Sequence, residues 1–268
     1  MYYATFDNRK LNNFTLEEWE TLPFKNIKTI SFDNNQLTKL PHLNKLINLK
    51  YLYCENNQLT ELPSLDKLIN LEILDCSDNQ LTKLPSLDKL INLRELYCEN
   101  NELTELPNLD NLINLEYLDC YYNLLRELPN LDKLINLKEL HCGCNELTEF
   151  PNLNNLVNLK LLYCNNNQLN QLLNLDKYIN LEGLNCSNNQ LTELPTLNNL
   201  VNLKLLLCYN NQLTDLPISI RKCKKLKYYK PEYDIYYQYI EDLPYLVNVE
   251  IEKYYNKPIL NYYNSKYL

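Results

Sequence analysis

Cysteines stand at positions 54, 76, 98, 120, 142, 164, 186 and 208, each 22 residues after the last. Asparagines at 35, 57, 79, 101, 123, 145, 167, 189 and 211 keep the same step. A chain that repeats itself at this interval builds one small unit again and again. No such unit buries its apolar face alone, so stability must come from stacking neighbours into a solenoid. In the block Leu49-Lys-Tyr-Leu52-Tyr-Cys54-Glu-Asn-Asn57-Gln-Leu59, Leu52 and Cys54 fall on one face and Tyr51, Tyr53 and Glu55 on the other. That alternation predicts a half-buried strand. Asn57 ends it: the side-chain amide can bond backbone groups of the turn, and stacked copies predict an asparagine ladder. Leu59 and Leu62 point back inward, Pro63 stops any further strand, and Leu65 and Leu68 cover the convex side of the core.

The block reads L-x-x-L-x-C-x-x-N-x-L, which resembles the leucine-rich repeat with Cys in place of the usual third Leu. Nine blocks begin at Ile27, Leu49, Leu71, Leu93, Leu115, Leu137, Leu159, Leu181 and Leu203, so the resemblance covers residues 26–217. The 22-residue step is similar to that of phosphatase-1 regulatory subunits and bacterial internalins. The resemblance implies an α/β solenoid, a horseshoe with a parallel concave β-sheet and short 3-10 or irregular convex segments. Nine strands about 4.8 Å apart give a sheet about 40 Å long. Residues 1–26 are expected to form an N-terminal cap, where Thr15-Leu-Glu-Glu18 has the pattern of a capping box opening a short helix through Trp19. Residues 27–217 hold the nine repeats. Past Pro217 the phase slips, with Leu226 one place late, and residues 218–268 are expected to be a degenerate repeat and Tyr-rich C-terminal cap. A short partner-binding tail is the competing reading of that segment, which also carries Arg221, Lys222, Lys224, Lys225, Lys227 and Lys230.

Composition narrows the function. Lys and Arg number 26 against 34 Asp and Glu, a net charge of −8, which argues against nucleic acid or an anionic membrane surface as partner. Two glycines leave no material for a phosphate-cradling loop. No apolar run approaches a membrane span and no signal-like leader is visible, so an intracellular, soluble protein is expected. Heavy use of Asn, Leu, Tyr, Lys and Ile with little Ala suggests AT-rich coding DNA, such as a parasite's or a giant virus's. The cysteine column faces the core, and neighbouring copies about 4.8 Å apart sit wider than the ~3.8 Å Cβ separation of a disulfide. With no C-x-x-C pair and only His42 and His141, no metal and no cofactor are expected. Ten unpaired thiols point to a reducing compartment, the cytoplasm. Cys144 departs from the column, and only a pKa lowered beside His141 would make it reactive. The tail is too short for the ubiquitin-ligase domain that some bacterial leucine-rich repeat effectors carry, and no catalytic set stands out, so no enzyme is expected.

The repeats also supply an internal alignment of the outward positions. Across nine strands these hold tyrosines and carboxylates but no Lys or Arg; the basic residues Lys28, Lys50, Arg94, Lys138, Lys160 and Lys204 fall one position before the strand face. The expected contact patch is Tyr53, Asp75, Tyr97, Glu99, Asp119, Tyr121, Tyr122, His141 and Tyr163, where Tyr122 and Leu124 also break the framework pattern. Tyrosine suits a binding surface because it presents a large, stiff, amphipathic area. Each named residue has a plain alternative: cross-strand tyrosines stabilise a sheet, and carboxylates keep it soluble. The expected function is a non-enzymatic module binding a basic protein or peptide, as a monomer. The alternatives are an assembly component that self-associates through its edges or tail, and a secreted effector.

Overall fold

A computed structural model describes residues 2–9 and 19–230. The Thr15–Glu18 capping box and the tail beyond residue 230 lie outside the described residues. Eleven short strands form one parallel sheet in strict chain order: β1 (Tyr2–Thr5), β2 (Ile27–Ser31), β3 (Tyr51–Tyr53), β4 (Ile73–Asp75), β5 (Glu95–Tyr97), β6 (Tyr117–Asp119), β7 (Glu139–His141), β8 (Leu161–Tyr163), β9 (Gly183–Asn185), β10 (Leu205–Leu207) and β11 (Tyr228–Lys230). From β2 to β10 each residue pairs with the one 22 places on, as in Tyr51↔Ile73, Leu52↔Leu74 and Tyr53↔Asp75. The solenoid therefore has no register slip in its repeats, and one column of the sequence is one row of the sheet.

Strand β1 was not legible as a strand. It pairs with β2 through Tyr3↔Thr29, Ala4↔Ile30 and Thr5↔Ser31, and Phe6 stacks on Phe32 with ring centroids 5.5 Å apart. Trp19, edge-on to Phe24 at 5.1 Å and 6.3 Å from Phe32, buries its indole against the first turn. At the other end a 3-10 turn over Ile218–Lys222 leads to β11, where Leu205 pairs with Tyr228 and Leu207 with Lys230.

The core is one continuous cluster of the inward columns, with Leu52, Cys54, Leu59, Leu65, Leu68 and Leu71 and their equivalents buried from turn to turn. The convex segments are tight irregular turns closed by bonds such as Leu68 N–H to Leu65 O at 2.8 Å. The asparagine ladder forms as expected, but through backbone rather than from amide to amide. Asn57 Nδ2 donates to Phe32 O, Cys54 O and Glu55 O at 3.0–3.2 Å, while its Oδ1 accepts from Leu37 N–H at 3.0 Å. Each asparagine thus satisfies buried groups of its own turn and of the turn before. A second ladder, which the column reading did not pick out, runs down the convex side: Asn70 Nδ2 donates to Ile47 O at 3.0 Å, Asn92 to Ile69 O at 2.9 Å, and so on to Asn202. The cysteine thiols lie in the dry core, and six of them donate weakly to the carbonyl of the next turn, as Cys54 does to Asp75 O at 3.2 Å. All ten cysteines are thiols rather than disulfides, and nine are buried. Burial pushes the thiols of the column far up.

Candidate binding face

The outward residues of β3–β8 line up in register as Tyr53, Asp75, Tyr97, Asp119, His141 and Tyr163. The sequence suggested an exposed row of mixed tyrosines and carboxylates. The structure divides it into a floor and a roof. Asp75, Glu99 and Asp119 are buried, Asp119 to 1% exposure, whereas Tyr53 and Tyr97 stay half-exposed. Strands about 4.8 Å apart put a short carboxylate directly beside a ring of more than its own length, and the rings lean across it.

Around Asp119 this packing becomes a polar cluster. One carboxylate oxygen accepts from Tyr121 N–H at 3.0 Å; the other lies 3.1 Å from both Tyr117 Oη and His141 Nδ1. His141, 2% exposed, has its Nε2 3.6 Å from a Glu139 carboxylate oxygen. Its ring stacks on Tyr163 at 4.9 Å and meets Tyr117 edge-on at 5.0 Å, and Tyr117 packs against Tyr97 at 4.7 Å. Four rings therefore run unbroken across β5–β8. Tyr97 Oη donates to Glu95 at 2.8 Å. Burial, with that bond to the carboxylate next, holds the Tyr97 phenol well above its ordinary range.

Tyr121 reaches further. Its hydroxyl accepts from Asn165 Nδ2 at 2.9 Å, two turns away, and the ring crosses Gly143 on the turn between. A Cβ placed at Gly143 would lie 2.4 Å from Tyr121 Cε2 and 2.9 Å from Asn165 O, so only glycine leaves the bridge its path. Tyr122 stands apart from the strand face, at 59% exposure, with its ring edge-on to Tyr121 at 5.0 Å. It occupies the one turn position per repeat that requires positive φ. Asn34, Asn56, Asp78, Asn100, Asn166, Asn188 and Asn210 take that conformation elsewhere, but Tyr122 and Cys144 take it at φ 51° each. Asn and Asp tolerate the left-handed region; tyrosine and cysteine are strained there. Two adjacent turns thus carry backbone strain beside the aromatic cluster, a pattern associated with functional surfaces. The ladder on that outer column, seen in Asn56 to Asn34 at 2.8 Å and Asn210 to Asn188 at 2.6 Å, is replaced there by Cys144 lying against both Tyr121 and Tyr122.

Of the residues expected from sequence, the structure gathers Tyr97, Asp119, His141 and Tyr163 into one cluster, sets Tyr53 and Asp75 beside it in register, and hangs Tyr121 and Tyr122 over its edge. Glu99 is buried in the third outward column. Tyr117, Gly143 and Asn165 were missed as site residues. Tyr117 stands two positions before Asp119 on the same strand, and that spacing was the available signal.

The charge on the face is negative throughout its first half. Asp33, Glu55, Glu95 and Glu139 are partly accessible on it. Burial, aided by the nearby Asp75 and Asp7 carboxylates and opposed by bonds from Ser31 and the Glu55 backbone, pushes Asp33 up to about 6. Four of the six residues in the basic column just outside the face are matched within their own row: Lys50 pairs with Glu72, Lys138 and Arg94 with Glu116, and Lys204 with Glu182. Among the described residues no group of three or more His, Cys, Asp or Glu side chains could hold a metal ion, and no helix is long and apolar enough to cross a membrane.

A family model described as leucine-rich repeats in two copies matches residues 25–67, 47–89, 69–111, 91–133, 113–155 and 179–219. Solved structures agree. A functional domain of InlJ from Listeria monocytogenes, described as including a cysteine ladder, is 30% identical over 77% of this chain with a TM-score of 0.71. YopM from Yersinia pestis, a leucine-rich effector protein, is 33% identical over 77% of the chain with a TM-score of 0.61. The leucine-rich repeat protein FLRT2, solved in an octameric complex with Latrophilin 3 and Unc5D, is 26% identical over 75% of the chain with a TM-score of 0.61. The chain spans 44% of the InlJ structure and 60% of the YopM structure. No curated protein sequence matches it significantly.

Proposed function

The chain belongs to the leucine-rich repeat family, whose members are protein-binding modules, and we propose that it binds a basic protein or peptide on the concave face of its sheet, without catalysis. One observation carries the reading: every charged residue facing outward from β2–β10 is a carboxylate, save His141, and none is Lys or Arg. A cationic partner would gain encounter rate and selectivity from that field, with the half-exposed Tyr53, Tyr97 and Tyr163 as contact area. The FLRT2 complex gives a precedent for a similar solenoid engaging other proteins. The acidic face disfavours nucleic acid and anionic lipid. Free, buried thiols fit a reducing compartment, and we place the protein in the cytoplasm as a monomer.

The test uses half-exposed residues so that folding survives. Tyr53→Ala, Glu95→Gln and Tyr97→Ala are combined, circular dichroism checks the fold, and binding to an immobilised Lys/Arg-rich peptide is measured at two salt concentrations. Salt-dependent binding that the variant loses supports the reading. Equal binding by both chains, or none by either, overturns it.

A further inference from the structure

The concave face changes character half-way along. From β2 to β7 its outward columns hold seven carboxylates, from Asp33 to Glu139; from β8 to β10 they hold no charge at all. There Leu161, Leu205 and the tyrosines Tyr163 and Tyr209 are partly accessible. Leu161 lies over the notch at Gly183, where an added Cβ would meet Leu161 Cδ2 at 2.8 Å, so the second half is an uncharged floor in which Leu161, Leu205, Tyr163 and Tyr209 surround the partly accessible Asn185. The Tyr121–Asn165 bridge crosses the sheet where the two halves meet. The inner strands are paired on both sides, so recognition must be by side chains rather than by strand addition.

We propose that the ligand is a two-part extended segment, cationic where it lies on β2–β7 and uncharged and apolar where it lies on β8–β10; this rests on the concave-face reading above. The dimensions set its length. Five strand intervals of about 4.8 Å span about 24 Å, which about seven extended residues cover, and the three further intervals from β7 to β10, about 14 Å in total, take about four. The apolar end adds affinity that charge alone does not supply, and fixes the direction in which the segment lies.

Three fluorescein-labelled 12-residue peptides test this on the full chain by anisotropy: a block peptide with Lys and Arg in its first part and Leu-Tyr-Leu in its last, a scramble of the same composition, and a version with Ser in place of the apolar residues. The block peptide is expected to bind about tenfold more tightly than the other two, the advantage of two or three modest apolar contacts. The paired change Leu161→Asn and Leu205→Asn should remove that advantage while leaving the Ser peptide's affinity unchanged. Equal affinity of block and scramble, with binding still lost in the Tyr53/Glu95/Tyr97 variant, overturns the two-part ligand and leaves the concave-face reading standing. Binding of no peptide overturns both. The peptide series is read on the native chain, so the result stands even if the leucine variant fails to fold.

Discussion

The bridge over Gly143 gives the sharpest quantitative expectation. A Cβ there would approach three atoms within contact distance: Tyr121 Cε2 at 2.4 Å, Asn165 Oδ1 at 2.8 Å and Asn165 O at 2.9 Å. The first two end flexible side chains and can give way; the third is backbone in β8's own turn. Gly143→Ala must therefore tilt the Tyr121 ring, stretch or break its 2.9 Å bond with Asn165, and strain the sheet. Overpacking of this kind costs about 1–3 kcal/mol. Against it stands about 0.5–1 kcal/mol gained because alanine restricts the unfolded chain. The net expectation is a loss of about 1–2 kcal/mol in urea unfolding, seen as a lower midpoint with an unchanged slope. In a Tyr121→Ala background the ring is gone and Asn165 is free to turn away, so only the carbonyl contact remains. There the cost of Gly143→Ala should fall by about 1 kcal/mol, a coupling well above the ~0.3–0.5 kcal/mol scatter of independent sites. A neutral or stabilising Gly143→Ala in the native chain, or the same cost in both backgrounds, would refute the bridge.

Four further outcomes are expected. Asn145 bonds three carbonyls at 2.9–3.2 Å and accepts from Leu125 N–H at 3.0 Å, so Asn145→Ala orphans several buried groups and should cost about 3–5 kcal/mol by urea unfolding; a loss under about 1 kcal/mol would mean the ladder is dispensable. Cys144→Asn replaces a strained left-handed residue by the column's own choice and should stabilise by about 0.5–1 kcal/mol, with a loss of stability arguing that Cys144 contacts outweigh the strain. In native protein a thiol reagent should label Cys144 first and leave the nine buried cysteines unmodified until unfolding; early labelling of the column would contradict its burial. Asp33, pushed up to about 6, binds its proton more tightly folded than unfolded, so its share of stability is greatest below the unfolded pKa near 4 and is lost as pH rises through 6. Asp33→Asn should then gain about 1 kcal/mol at pH 7–8, discounted for its partial exposure, and little at pH 4, which paired urea melts at the two pH values check.

Nearly the whole of the repeat body was legible because one interval of 22 residues forces every column to share an environment, so patterns too weak to read in a single block became certain over nine. Leu52, Cys54 and Asn57 could be placed in the core, and the strand register followed from the period alone. What escaped was set by contacts within a single turn or between unlike turns. Strand β1 has no copy elsewhere in the sequence, and its pairing to β2 depends on Phe6 and Trp19 filling the open end. The second asparagine ladder was present as a column, from Asn48 to Asn202, but asparagine in a loop signals little until its backbone partner is known. The face was legible as a list and not as a depth profile: period places Asp119 and Tyr117 both outward, and only the relative length of their side chains puts one under the other. The same holds for Gly143, which reads as a loss of side chain in one column and is explained only by Tyr121 one turn before and Asn165 one turn after. A repeat therefore announces its framework through what recurs. Its specific surface lies in the departures, and four of them (Gly143, Tyr122, Cys144 and His141) fall together on β7 and on the turns after β6 and β7, which is why the accessible side chains there are where a change of sequence should move binding more than it moves the fold.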